Sequence, residues 1–83
     1  MPDIACVNGR FGPVAEAVVS IEDRGFQFGD GVYEVIRTYR GKPFALDEHL
    51  ARFERSAQAL HLSLGLTKDQ WMALVQEGLR LSQ

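Results

Sequence analysis

Residues 23–37 read DRGFQFGDGVYEVIR, and this stretch decides how the chain is interpreted. Its glycines, Gly25, Gly29 and Gly31, fall within seven residues. A glycine has no Cβ, so such a segment turns sharply or lets another group approach its backbone closely. The glycines precede an alternating segment rather than a helix, and no Gly-Lys-Ser/Thr follows, which excludes the P-loop and the dinucleotide fingerprint. We therefore expect a tight loop that leads into a strand and borders a binding site.

Alternating side chains predict a strand over residues 32–40, rich in β-branched and aromatic residues. One face carries Val32, Glu34, Ile36 and Thr38, and the other carries Tyr33, Val35, Arg37 and Tyr39. The second face mixes aromatic and cationic groups, which suits contact with a polar ligand as well as packing. A turn at Gly41 and a short partner segment predict a hairpin over residues 32–46.

The flanking segments predict one more hairpin and two helices. Asn8-Gly9 between residues 4–7 and a returning arm is a strong signal for a type I′ turn. Asp47 is the expected N-cap of a helix that runs to about His61. Thr67, with Gln three residues later, predicts a capping box and a second helix that reaches nearly to Gln83. The fold class is α+β, with antiparallel hairpins followed by two helices.

The composition limits the classes of function. With 83 residues the chain forms one domain at most, and its small core is marginal. A net charge of −2 argues against a nucleic-acid partner. The single Cys6 excludes an internal disulfide and, with two histidines, a structural zinc site, so we expect no metal and a reducing compartment. Neither a signal peptide nor an apolar run of membrane-spanning length is visible.

Two side chains stand out as candidate ligand-binding groups. Arg52 is most simply an exposed helix residue, but a guanidinium fork matches phosphate oxygens bidentately. Tyr33 is most simply a packing residue, but beside the glycines its phenol can donate to a bound oxygen. His49 and His61 have no neighbouring partner in sequence that defines an acid-base pair, so we interpret both as structural.

With these residues in view, the chain resembles the class IV aminotransferases, and the D-amino-acid aminotransferases most closely. The resemblance covers residues 7–62, and its specific core, residues 22–52, includes the Phe-Gly-Asp-Gly loop and Tyr33-Glu34-Val35. It implies the N-terminal small domain of a cytoplasmic homodimer that uses pyridoxal 5′-phosphate (PLP). By this resemblance Arg52 would bind the cofactor phosphate, and Tyr33, Val35 and Arg37 would line the substrate pocket.

The implied reaction transfers an amino group from a D-amino acid to a 2-oxo acid and needs a Schiff-base lysine. Lys42 and Lys68 do not match the family position of that lysine, which belongs to a second, C-terminal catalytic domain. Residues 1–83 are therefore expected to contain no catalytic residue and to be inactive alone. A branched-chain aminotransferase, an aminodeoxychorismate lyase and a stand-alone interaction module of the same fold remain as alternatives.

Overall fold

A computed structural model of the chain describes residues 3–83. Its first element is an antiparallel hairpin of β1 (Ile4–Val7) and β2 (Arg10–Pro13). Asn8 and Gly9 at its turn both have left-handed φ angles, 52° and 82°, as a type I′ turn requires. The predicted N-terminal hairpin is confirmed.

The glycine-rich loop contains a short helix, α1 (Arg24–Phe28), that the sequence pattern did not predict. The Asp23 carboxylate caps it by accepting a hydrogen bond from the Gly25 amide at 2.8 Å. Gly29 ends it with a φ of 73°, a conformation that glycine adopts without strain. The expectation that all three glycines lie in a loop leading directly to a strand is wrong, because this Asp cap first closes a helical turn.

The strand predicted over residues 32–40 is mostly absent, and this is a correction. Pairing is confined to β3 (Thr38–Tyr39) and β4 (Lys42–Pro43). The chain enters a helix shortly after β4, so the partner segment is too short to pair with the first half of the predicted strand. The hairpin predicted over residues 32–46 is therefore confirmed only at its tip.

The alternation of residues 32–37 persists although the segment pairs with no other strand. Every second side chain is partly buried, and those between are exposed. The partly buried set is Val32, Glu34 and Ile36, and the exposed set is Tyr33, Val35 and Arg37. The two faces that the sequence predicted are thus the faces that the structure shows.

The next helix, α2 (Leu46–Ala59), supplies the buried side chains Leu46, Leu50 and Ala57. Ala45, with a φ of 55°, occupies the N-cap position that was predicted for Asp47. Asp47 lies in the first turn instead, where its carboxylate pairs with Lys68 at the start of the following helix. α2 also ends before His61, whose φ of 57° is not helical.

The last helix, α3 (Lys68–Leu81), begins with the predicted capping box. Thr67 Oγ1 accepts from the Gln70 amide at 3.2 Å, and Gln70 Oε1 accepts from the Thr67 amide at 2.8 Å. α3 packs against α2 and against β1. The two strand pairs and the helices form an α+β fold, as predicted. Within residues 3–83, no helix is long and apolar enough to cross a membrane.

Candidate functional site

The most shielded charged side chain of the candidate site is Glu34, whose side chain is 8% exposed. Its position on the inner face of residues 32–37 turns it towards α2. Oε2 accepts a hydrogen bond from Arg52 Nε at 2.7 Å, and Oε1 accepts from Arg52 Nη2 at 2.7 Å. These bonds, followed by one from His49, lower the pKa of Glu34 from 4.5 to about 2. Glu34 is therefore a carboxylate at any physiological pH.

Arg52 projects from the second turn of α2 with 60% of its side chain exposed. The hydrogen bonds with Glu34 raise the pKa of its guanidinium further. Two of the five guanidinium N–H groups are used on Glu34. The edge formed by Nη1 and the second hydrogen of Nη2 has no partner within the described chain, so Arg52 can hold a carboxylate on one edge and another anion on the other.

His49 lies three residues before Arg52 on the same helix, and its Nδ1 is 2.7 Å from Glu34 Oε1. A carboxylate accepts hydrogen bonds only, so Nδ1 carries the proton and donates it to this bond. His49 thus has a hydrogen-bonding partner, and the partner comes from a segment distant in sequence. The ring of His49 contacts Oε1 of Glu34, whereas Arg52 Nε contacts Oε2.

A recess of about 310 Å³ opens beside these groups on α2. Its lining residues are Ala45, Glu48, His49, Arg52 and Arg55. The two guanidinium groups of this lining are donors for anionic oxygens, and Glu48 is the only acid in it. Glu34 does not line the recess, although it is bonded to two residues that do. The positive charges of Arg52 and Arg55 suit an anionic group.

The predicted pocket residues lie on the other face of residues 32–37. Tyr33 is 83% exposed and Val35 is 71% exposed, and Arg37 is exposed as well. No hydrogen bond or ion pair between described residues joins any of the three to Arg52. Tyr33, Val35 and Arg37 thus lie on the exposed face of this segment. Arg52, on α2, contacts the opposite, inner face.

Sequence reasoning missed Glu34 and His49 as members of the site. Glu34 was assigned to a strand face, and His49 was interpreted as structural because no partner was near it in sequence. A signal was present in both segments. Glu34 is the only charged residue on an otherwise apolar inner face, and His49 and Arg52 are three apart, which places them on one face of a helix. Within residues 3–83, no cluster of His, Cys, Asp and Glu could hold a metal ion.

Comparison with known proteins identifies the family. The family described as amino-transferase class IV matches residues 31–83, which is more than half of the chain. The segment that carries Glu34, His49 and Arg52 lies inside this match. The chain belongs to the class IV aminotransferase family.

Curated relatives give a finer comparison. The D-alanine aminotransferase of Staphylococcus haemolyticus is 49% identical over 76 residues, which is 92% of this chain and 27% of that protein. The D-alanine aminotransferase of Bacillus licheniformis is 46% identical over 76 residues, with the same two coverages. That of Staphylococcus aureus strain N315 is 43% identical over 77 residues, 93% of this chain and 27% of that protein. The chain spans about a quarter of the length of the curated relatives that it matches.

Proposed function

We propose that the chain is the N-terminal part of a PLP-dependent aminotransferase that moves an amino group from a D-amino acid to a 2-oxo acid. The observation that carries this proposal is the 43–49% identity to D-alanine aminotransferases over nearly the whole chain. The part described here would supply cofactor and substrate contacts. The bound cofactor would supply an electron sink for the reacting carbon.

The donor set at α2 supports a contact with the phosphate ester of the cofactor. Arg52 keeps one edge free while Glu34 occupies the other, and a planar guanidinium edge matches two oxygens of one phosphate. Arg55 lines the same recess and adds a second positive charge. In the proposed site Arg52 binds the phosphate and thereby orients the rest of the cofactor.

The outer face of residues 32–37 supports a contact with the substrate. Tyr33 offers a phenol donor and Arg37 a guanidinium, both suited to a carboxylate, and Val35 lies between them as an apolar wall. All three are exposed and share one face of the segment. In the proposed site these residues bind and orient the amino acid by its carboxylate and side chain.

Neither lysine of the chain is suited to act as the covalent nucleophile. Such a lysine must lose its proton near neutral pH. Lys68 is bonded to the Asp47 carboxylate, and this bond raises the pKa of its ammonium group. Lys42 lies exposed in β4, away from the recess on α2. We infer that the reactive lysine of the complete enzyme belongs to another part of the polypeptide and that residues 1–83 alone are inactive.

The test is an assay of transamination between D-alanine and 2-oxoglutarate. The pyruvate that forms from D-alanine is measured. The intact protein is expected to turn over with added PLP, and the purified 83-residue chain is not. Arg52→Lys in the intact protein keeps the charge but loses the planar fork, so PLP affinity should fall about tenfold. Turnover by the 83-residue chain alone would refute the inference about the lysine.

A second candidate function is an interaction module of the same fold, and one observation favours it. Apolar side chains of the stretch 14–28 are exposed, among them Val18, Ile21, Phe26 and Phe28. Exposed apolar surface of this kind often marks a contact with another chain. Light scattering with and without PLP separates the candidates, because a tight dimer indifferent to PLP favours the module. A homodimer with PLP affinity favours the enzyme.

A further inference from the structure

We propose that Glu34 is a positioning residue for Arg52, and that it fixes the free edge of the guanidinium towards the phosphate ester of the cofactor. This inference rests on the proposed function, because it assumes that Arg52 binds an anionic ester. It assigns a role to a carboxylate that itself touches neither cofactor nor substrate.

The geometry of the hydrogen bonds between Glu34 and Arg52 supports the positioning role. Both carboxylate oxygens of Glu34 accept hydrogen bonds from one edge of the guanidinium. The Nε–Oε2 and Nη2–Oε1 distances are both 2.7 Å. A fork-to-fork pair of this kind fixes the plane of the guanidinium as well as its position. Arg52 is otherwise 60% exposed, so without Glu34 its long side chain would sample several rotamers. Such freedom weakens binding because it must be lost when an anion binds.

His49 supports the same role because it fixes the Glu34 carboxylate, which in turn fixes Arg52. Its Nδ1 donates to Glu34 Oε1, the same oxygen that accepts from Arg52 Nη2. Glu34 is only 8% exposed, so little water competes for it. The order of contacts is therefore His49 to Glu34 to Arg52, and then the anion. Groups that orient a ligand-binding side chain in this way commonly change affinity by about 10- to 100-fold when they are removed from metal sites.

Simple electrostatics predicts the opposite effect, and this makes the idea testable. A carboxylate close to an anion site repels the anion, so its removal should strengthen binding. If Glu34 acts only through its charge, Glu34→Gln should bind PLP more tightly. If it acts by positioning, Glu34→Gln should bind PLP less tightly, because a neutral amide cannot accept from both donors of Arg52 and from His49.

The chain provides a matched control in Glu48. This carboxylate lines the recess but makes no hydrogen bond or ion pair with Arg52 or with any other described residue. Glu48→Gln makes the same change of charge without loss of a bond to Arg52. We expect tighter PLP binding for this variant because it removes a negative charge from the recess lining, in contrast to the weaker binding expected for Glu34→Gln.

The experiment measures dissociation constants of PLP and of pyridoxal, which lacks the phosphate, for the intact protein and its variants. The wild type should prefer PLP, Glu34→Gln should lose about tenfold in PLP affinity with little change for pyridoxal, and Glu34→Asp should lie between. Ile36→Ala removes an apolar contact from the same face of the segment and leaves Glu34 in place. It therefore separates the loss of the carboxylate from a general loosening of residues 32–37. Its PLP affinity should remain that of the wild type.

Nuclear magnetic resonance of the Arg52 side chain gives a readout independent of the cofactor. The Nε–H signal of Arg52 should be sharp and shifted by its bond to Glu34 in the wild type and in Glu48→Gln, and should lose that shift in Glu34→Gln. A wild type without preference for PLP over pyridoxal would overturn the phosphate contact and with it this inference. A wild type that prefers PLP, together with Glu34→Gln binding equally or more tightly, would overturn the positioning role alone.

Discussion

Phe53 of α2 and Trp71 of α3 meet edge to face, with ring centroids 5.5 Å apart and planes at 82°. Aromatic pairs in this geometry contribute about 0.5–1.5 kcal/mol beyond the area that they bury. The buried Nε1 of Trp71 has no hydrogen-bond acceptor among the described residues. The contact between the two helices at this point is therefore one of apolar packing and ring geometry.

The first prediction follows from this pair. Trp71→Phe keeps a ring against Phe53 and loses no hydrogen bond, so the free energy of unfolding should fall by less than about 1.5 kcal/mol. Trp71→Ala removes the ring of a partly buried residue and should cost more, about 2 kcal/mol or more. Urea unfolding, monitored by circular dichroism, measures the loss of unfolding free energy in both variants. Equal losses in the two variants would contradict the packing interpretation.

The second prediction concerns acid stability. The pKa of Glu34 is about 2 in the folded chain and near 4.5 when the carboxyl is free. Between these values the unfolded chain binds the extra proton, so stability falls as the pH falls from about 5 to about 2. Glu77, bonded to Arg80, has a lowered pKa as well and contributes in the same direction. Unfolding free energies across this range should therefore depend less steeply on pH in Glu34→Gln than in the wild type, but should not become flat.

The third prediction tests the capping box of α3. Thr67→Ala removes the acceptor of the Gln70 amide and should lower the free energy of unfolding by about 1 kcal/mol. Ser63→Ala is the matched control, because Ser63 is exposed and makes no hydrogen bond within the described chain. Its unfolding free energy should stay within about 0.5 kcal/mol of the wild type. Thermal unfolding of the three proteins decides the matter, and indistinguishable curves would contradict the cap.

The fourth prediction concerns covalent attachment of the cofactor. Borohydride reduction of the intact protein with PLP should fix a pyridoxyl group on one lysine. Peptide mass spectrometry should find Lys42 and Lys68 unlabelled, because Asp47 keeps Lys68 protonated and Lys42 is away from the recess. Conversion of both to arginine should leave transamination within about twofold of the wild type. A label on either residue would contradict the proposed division of roles.

Local sequence signals predicted the parts of the fold that short-range chemistry determines. Asn8-Gly9 fixed the first turn through left-handed φ angles, and Thr67 with Gln70 fixed the start of α3. The strand over residues 32–40 was overestimated because alternation reports which side is buried and says nothing about a pairing partner. α1 was missed because a glycine at its second position argues against a helix, and the Asp23 cap outweighed that penalty.

The candidate site shows the same limit. Arg52 was singled out from the sequence because a phosphate calls for a guanidinium. Its partner Glu34 lies 18 residues earlier, and only the three-dimensional path of the chain brings the two together. The substrate-pocket roles of Tyr33, Val35 and Arg37 and the phosphate role of Arg52 stay predictions that the binding and activity measurements above test.

The bonds of Glu34 have a further consequence for the long segment that contains it. Within the described structure, the hydrogen bonds of Glu34 to α2 are the only ones that join residues 18–36 to another part of the chain. Amide hydrogens of this segment should exchange rapidly with deuterium, and a protease should cleave here before it cleaves α2 or α3. Because these hydrogen bonds depend on an ionised Glu34, amide exchange in the segment should become faster still in strong acid, where Glu34 becomes protonated.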